Sequence, residues 1–293
     1  MSFEPVWGAP IAWYLFLAGL GGGAFIASAF LRFKHPEAEG MRFAGHIIAP
    51  AVVIVGLFLL MFDAEAGLHN PLRFALLLHN PFSVMTWGVV FLAAFVLIAL
   101  IALLLDCLKK RVPAWLEIAG VAFAICVGAY TGALLGVCRT FPLWNNALLP
   151  VLFLVSAVST GMSSVLLVGA LKFPEEFDEA GVLKKFHYVF PIVEIVLVAS
   201  LCFITSYNSV AGAQSVASLV CGSWAPVFWL GFVVVGLAAP SAVETWLLFI
   251  AKPAFEETPP ARYMGAAADA GVLIGGFLLR FLIVMAAVPV PLT

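Results

Sequence analysis

Residues 85–105 read MTWGVVFLAAFVLIALIALLL, an unbroken apolar run without a single charged side chain. A helix rises about 1.5 Å per residue, so a run of this length matches the ~30 Å hydrocarbon core of a bilayer. Working outward, comparable segments lie at 11–31, 45–62, 115–137, 147–171, 188–207, 224–250 and 268–287. Their separators carry charge or helix breakers: Lys34-His35-Pro36, Asn80-Pro81, Lys109-Lys110-Arg111, Phe141-Pro142, Pro174-Glu175-Glu176 and Pro259-Pro260. The expected fold is all-α, an integral membrane protein of eight transmembrane helices in a single membrane domain.

Composition agrees. The chain is 64% hydrophobic and 10% charged, with a mean hydropathy of +1.13. Soluble domains sit nearer ~45–50% apolar and ~25% charged. A net charge of -2, with no long basic or acidic run, argues against nucleic acid as a partner and leaves lipid as the surroundings. The first basic residue is Arg32, so the first apolar segment reads as a retained anchor rather than a cleaved signal. Cys107, Cys126, Cys138, Cys202 and Cys221 form no CxxC pair and read as small hydrophobes.

The basic residues alternate with the spans. One side holds Arg32, Lys34, Arg42, Lys109, Lys110, Arg111, Lys172, Lys184, Lys185, Lys252 and Arg262; the other holds Arg73 and Arg139. By the positive-inside rule both termini are expected outside. The two halves, 11–137 and 147–287, then run in the same direction as two four-helix bundles. A faint echo links them: Phe16-Leu17 precedes Gly19, Gly22 and Gly23, as Phe153-Leu154 precedes Ser156, Ser159 and Thr160.

Polar groups inside lipid are costly and usually face a cavity, a pathway or a partner. Asp63 and Glu65 lie where the second span meets the outer face, with Tyr130 in the outer third of the fourth and Arg280 in the outer half of the eighth. They share that depth with loops carrying His69, His79, Arg139, Asn145 and Asn146. Glu194, Glu244 and Asp269 fall toward the inner ends of the last three spans. Each has a structural alternative: Arg280 can pair with a carboxylate, Glu194 and Glu244 can sit in interfacial water, and Asp63 can terminate its helix.

Gly19-Leu-Gly21-Gly-Gly23-Ala24 mimics a dinucleotide fingerprint, but that motif needs a preceding strand. Gly19 with Gly23, and Gly128, Gly132 and Gly136 in series, instead permit close helix approach. His35, His46 and His187 lie at the inner edge and His69 and His79 in an outer loop, so no imidazole pair is set at mid-membrane for haem. No metal and no haem are expected to be held by this chain.

Ordered motifs carry a resemblance: Trp13-Tyr-Leu-Phe-Leu-Ala-Gly-Leu-Gly-Gly-Gly-Ala-Phe25; Asp63, then Asn70-Pro-Leu-Arg-Phe74, Asn80-Pro-Phe-Ser83 and Met85-Thr-Trp-Gly88; and Tyr130-Thr-Gly132, Pro142-Leu-Trp-Asn-Asn146, Leu149-Pro150, Phe153-Leu-Val-Ser156 and Ser159-Thr-Gly161. Over roughly residues 10–165 the chain resembles the polysulfide reductase NrfD family of membrane subunits. The resemblance implies a haem-free subunit that exchanges electrons between membrane quinone, often menaquinol, and an iron–sulfur subunit docked on one face, which the depth of Tyr14, Asp63 and Tyr130 makes the outer one. Through that subunit lies a molybdopterin catalytic subunit or a multihaem cytochrome. It also implies a quinone pocket in the first bundle, where Asp63 and Tyr130 match family positions. Tyr14 stands where the family's polysulfide member has a histidine, so the pocket's hydrogen bonding differs.

The expectation is a quinone-reactive subunit of a respiratory oxidoreductase in a bacterial or archaeal cytoplasmic membrane, oxidising menaquinol and inactive alone. Tyr14, Asp63 and Tyr130 would bind quinone and accept protons. Glu194, Glu244 and Arg280 would pair charges or pass protons, and Trp144, Asn145, Asn146 and the loop from Glu65 to Asn80 would dock the partner. Two rivals stand beside it: a transporter or ion-conducting protein, and a purely structural anchor.

Overall fold

The structure is a computed structural model, and it describes residues 7–63, 79–251 and 258–290. Eight of its helices are long and apolar enough to cross a membrane: α1 (Ala9–Lys34), α2 (Glu39–Asp63), α3 (Val84–Cys107), α4 (Ala114–Gly136), α5 (Leu148–Lys172), α6 (Gly181–Asn208), α7 (Val227–Ile250) and α8 (Pro259–Met285). No strand occurs among the described residues. The chain is therefore all-α, as the apolar runs predict.

The differences have local causes. Hydropathy starts the second span at 45 and the sixth at 188, yet α2 and α6 begin at Glu39 and Gly181. Their first turns carry polar residues that an apolar window leaves out. A single non-helical residue, Tyr188, interrupts α6. In α7 the turns widen to π geometry over Val227–Ala238 and Trp246–Ile250, flanking an α-helical stretch with Pro240 in its first turn. Proline offers no N–H to the preceding turn, and a wider turn redistributes the carbonyls left over.

Two shorter helices were not expected. Pro174–Glu179 joins α5 to α6, and Val210–Val220 follows α6. The second is capped by Ser209, whose hydroxyl accepts from the Gly212 N–H at 3.0 Å.

The core is organised by α1 and α5. Helix α1 is largely buried, whereas α7 is largely exposed. Helix α1 contacts α2, α4, α5 and α8; α2 contacts α3, α3 contacts α4, and α8 contacts both α5 and α7. Large apolar side chains such as Leu97, Leu104, Ile118 and Phe203 point outward, the arrangement expected of a surface bathed in lipid.

One end of the bundle is basic: Arg32 and Lys34 end α1, and Arg42 lies in the first turns of α2. Contacts gather the other connections there. Phe30 stacks on Phe186 at 5.5 Å, and Arg262 forms a forked pair with Asp178, 2.6 Å at its shortest. Glu176, between α5 and α6, accepts from the backbone N–H groups of Gly40 and Met41 at 2.9 and 2.8 Å. It caps α2 from more than a hundred residues away, and the negative charge also suits the positive end of the helix dipole. Glu176→Ala is expected to cost about 1 kcal/mol, the usual scale of a lost cap, seen as a lower melting midpoint in detergent. Glu176→Gln keeps an acceptor oxygen and should recover part of the loss.

Candidate functional site

At the end of α1 away from the basic cluster, four helices surround one pair of phenols. Tyr14 of α1 and Tyr130 of α4 are buried, and their phenol groups lie close enough to interact. Helices α2 and α3 meet them with glycines. A methyl group added at Gly88 would collide with the Tyr130 ring and hydroxyl, and one at Gly56 would lie 3.7 Å from Cδ2 of Tyr14. Gly88 is thus a cradle that only glycine leaves open. The structure therefore joins two residues that lie 116 positions apart in sequence.

The pair has spare capacity. A phenol has one hydrogen to donate and lone pairs to accept, so even a pair bonded to each other keeps one of its two hydrogens. The other hydroxyl can donate to a third oxygen. Asp63 is the last residue of α2. It follows Gly56 by seven residues, two helical turns, which sets it on the same face of α2 and ~10 Å further along the axis. Its side chain, and residues 64–78 with Glu65, His69 and Arg73, lie outside the described residues. His79 and Asn80 are exposed.

The loop before α5 divides by burial. Trp144 is only 2% exposed; its ring stacks on Trp7 at 5.3 Å and its indole N–H donates to the Ile283 carbonyl at 2.7 Å. That side chain is spent on packing α8 against the N-terminal segment. Asn145 is exposed and donates to the Gly136 carbonyl at 2.5 Å, which closes the end of α4. Asn146 lies 3.4 Å from Thr205, and its side-chain oxygen accepts from the Leu148 N–H at 3.0 Å. Of these three, Asn145 alone is exposed.

In the second half, Arg280 is fully buried. It donates to Ser156 at 3.1 Å, to the Gly276 carbonyl at 2.8 Å and to the Phe153 carbonyl at 3.2 Å. Glu194 of α6 feels its charge and lies beside Ser159. Toward the basic end, His187 donates or accepts at both nitrogens: Nε2 is 2.8 Å from Ser163 and Nδ1 is 2.9 Å from Glu244. Asp269 lies next to the same histidine and serine. Arg280, Glu194, His187, Glu244 and Asp269 thus form a discontinuous polar track running through the second half.

A matching cluster in the first half escaped sequence reading. His46 of α2 bonds Asp106 of α3 at 2.5 Å, Arg42 lies 3.8 Å from Asp106, and Arg32 pairs with the buried Glu117 of α4 at 2.6 Å. Ser28 of α1 donates to the Arg42 carbonyl. Asp106 and Glu117 fall at the edges of apolar runs, where a carboxylate looks solvated. The missed signal was their placement opposite Arg42 and Arg32 on the same side.

The cluster repeats by position. Ser28, His46, Asp106 and Glu117 come from α1, α2, α3 and α4; Ser163, His187, Glu244 and Asp269 come from α5, α6, α7 and α8. In both halves the histidine uses Nδ1 toward the carboxylate of the third helix.

Comparison with known proteins gives the family. A family model described as polysulphide reductase, NrfD, matches residues 1–291. The C subunit of polysulfide reductase from Wolinella succinogenes is 38% identical over 271 residues, covering 83% of this protein and 84% of that subunit. Protein NrfD of Escherichia coli is 30% identical over 274 residues, covering 83% and 85%. A NrfD homolog of Haemophilus influenzae is 29% identical over 270 residues, covering 80% and 82%. With eight apolar helices and a match along almost its whole length, the chain belongs to the polysulphide reductase NrfD family of membrane proteins.

Proposed function

We propose that this protein, a membrane subunit of a respiratory oxidoreductase complex, takes electrons from membrane quinol, in the first instance menaquinol, and passes them to an iron–sulfur subunit. The observation that carries the reading is the buried Tyr14–Tyr130 pair at the meeting of α1, α2, α3 and α4. Oxidising a quinol removes two electrons and two protons. The free phenol hydrogen of the pair binds one ring oxygen of the substrate and fixes its position. Asp63 accepts one proton as the ring is oxidised, and the second passes to water at the same end of the bundle. Electrons leave to the partner's cluster, which docks at this end so that the path from the phenol pair is short. Asn145 and the segment around Asn80 form the docking rim.

Glu194, Glu244 and Arg280 serve the second half as a charge-compensated polar track, with Arg280 holding Glu194 in a medium where a lone charge is costly. The rival transporter reading uses that track, and the structural-anchor reading uses neither site. Purifying the tagged protein from gently solubilised membranes tests the assignment. An iron–sulfur protein should co-purify, and a menaquinol analogue should reduce its clusters. A protein that purifies alone and leaves added cluster protein oxidised would overturn the proposal and favour transport.

A further inference from the structure

Where the first half sets two arginines against the carboxylates of its cluster, the second half sets none against the matching pair, Glu244 and Asp269, among the described residues. Asp106 and Glu117 have Arg42 and Arg32. Their counterparts Glu244 and Asp269 have His187 and Ser163, and one oxygen of each, Oε2 and Oδ1, has no hydrogen-bond partner. Asp269 is 4% exposed, and a buried carboxylate oxygen without a partner is expensive. Both carboxylates line a cavity of about 40 Å³ that opens between Phe177, Lys184, Leu247 and Gly265, more room than a single water needs.

We infer that His187, Glu244 and Asp269 form a binding site for a divalent transition-metal ion, entered through this cavity from the basic end. One ligand atom from each residue lies within 4.8 Å of the other two. A tetrahedral ion with bonds of about 2.0–2.2 Å holds its ligands about 3.3–3.6 Å apart, a contraction that rotation of two carboxylates can supply. An imidazole with two carboxylates favours zinc or cobalt over magnesium or calcium, which prefer all-oxygen shells. The ion replaces the charge that arginine supplies in the first half, and the cavity admits its remaining water ligands. Lys184 also lines the cavity, with its ammonium 3.9 Å from the centroid of the Phe177 ring, so its charge sets an upper limit on affinity. The proposal departs from the sequence expectation of no metal, which rests on the lack of cysteine clusters and mid-membrane histidine pairs. Its ligands come from three spans 25 to 57 residues apart, a spacing no motif encodes.

The test is a Co²⁺ titration of the full-length protein in detergent, carrying no oligohistidine tag, followed by visible absorption. One equivalent per molecule should develop d–d bands, Zn²⁺ should displace it, and millimolar Mg²⁺ should not. His187→Gln and Asp269→Asn should each weaken binding at least tenfold, while His35→Gln at the exposed end of α1 leaves it unchanged. Zn²⁺ should also raise the melting midpoint of the wild-type protein, because the ion ties α6, α7 and α8 together. That measurement stands even where a variant fails to fold. Bands that persist in both variants, or a wild-type protein that neither binds Co²⁺ nor gains stability from Zn²⁺, would overturn the site.

Discussion

Tyr130→Phe is expected to slow electron transfer from a menaquinol analogue to the iron–sulfur subunit by about 100-fold, the lower range for losing a positioned proton-transfer group. The ring stays in its Gly88 cradle, so packing is retained. Stability should fall by only about 1 kcal/mol, the net worth of one hydrogen bond, and the complex should still assemble. Tyr14→Phe should be milder, since Tyr130 then keeps its hydroxyl, and the double variant should be no slower than Tyr130→Phe alone. Residues acting as a unit are not additive. Asp63→Asn separates positioning from proton acceptance: it should lower turnover while leaving binding of the menaquinol analogue unchanged. Full turnover in an assembled Tyr130→Phe complex would establish the purely structural anchor instead.

The fold was legible because lipid leaves the backbone few options. Residues such as 85–105 admit only a spanning helix, and no tertiary knowledge is needed to see it. Helix ends were less legible. Glu39 and Gly181 start helices inside polar sequence, and Glu176 caps α2 through a contact that no local pattern announces. The π turns of α7 likewise depend on Pro240 and on how closely Gly236 approaches Gly275 of α8, where an added methyl would lie 2.5 Å from Cα.

The site was legible in part. Tyr14 and Tyr130 could be set at one depth by counting residues along two helices, but their contact needed α1 and α4 to be neighbours. Trp144 was misjudged as a surface residue because tryptophan in a loop between spans suits an interface equally well; its burial depends on Trp7 and Ile283. The Ser–His–acid–acid order of the two halves was invisible to sequence comparison. The spacing from Ser28 to Glu117 differs from that between Ser163 and Asp269, so alignment of the halves finds only the faint echo in α1 and α5.

That echo marks the most sensitive point of the fold. Gly23 and Gly161 lie where α1 and α5 cross, and each packs on the other's backbone: a methyl added at Gly161 would overlap Gly23 and Ala24, and one at Gly23 would overlap the Ala157 carbonyl. Nothing there can swing aside, since the atoms in the way are backbone. Gly161→Ala must therefore push the helices apart by roughly an ångström, a strain of about 1–3 kcal/mol by the measure of overpacked cores. Loss of close backbone contacts adds to it, because small residues at crossings are what draw helices together in lipid. A fall of roughly 2–12 °C in the detergent melting midpoint is expected at the usual 2–4 °C per kcal/mol. Gly161→Leu should leave no folded protein to measure. Gly181, with nothing within 4 Å of an added methyl, is the control, and Gly181→Ala should be neutral or stabilising. The displacement at Gly161 also reaches the site. Helix α1 carries Tyr14 and α5 packs against α4, so the approach of Tyr14 to Tyr130 should loosen with the crossing. Gly161→Ala should therefore lower quinol turnover as well as stability, whereas a variant that melts and turns over like the wild type would show that the two helices do not meet backbone to backbone.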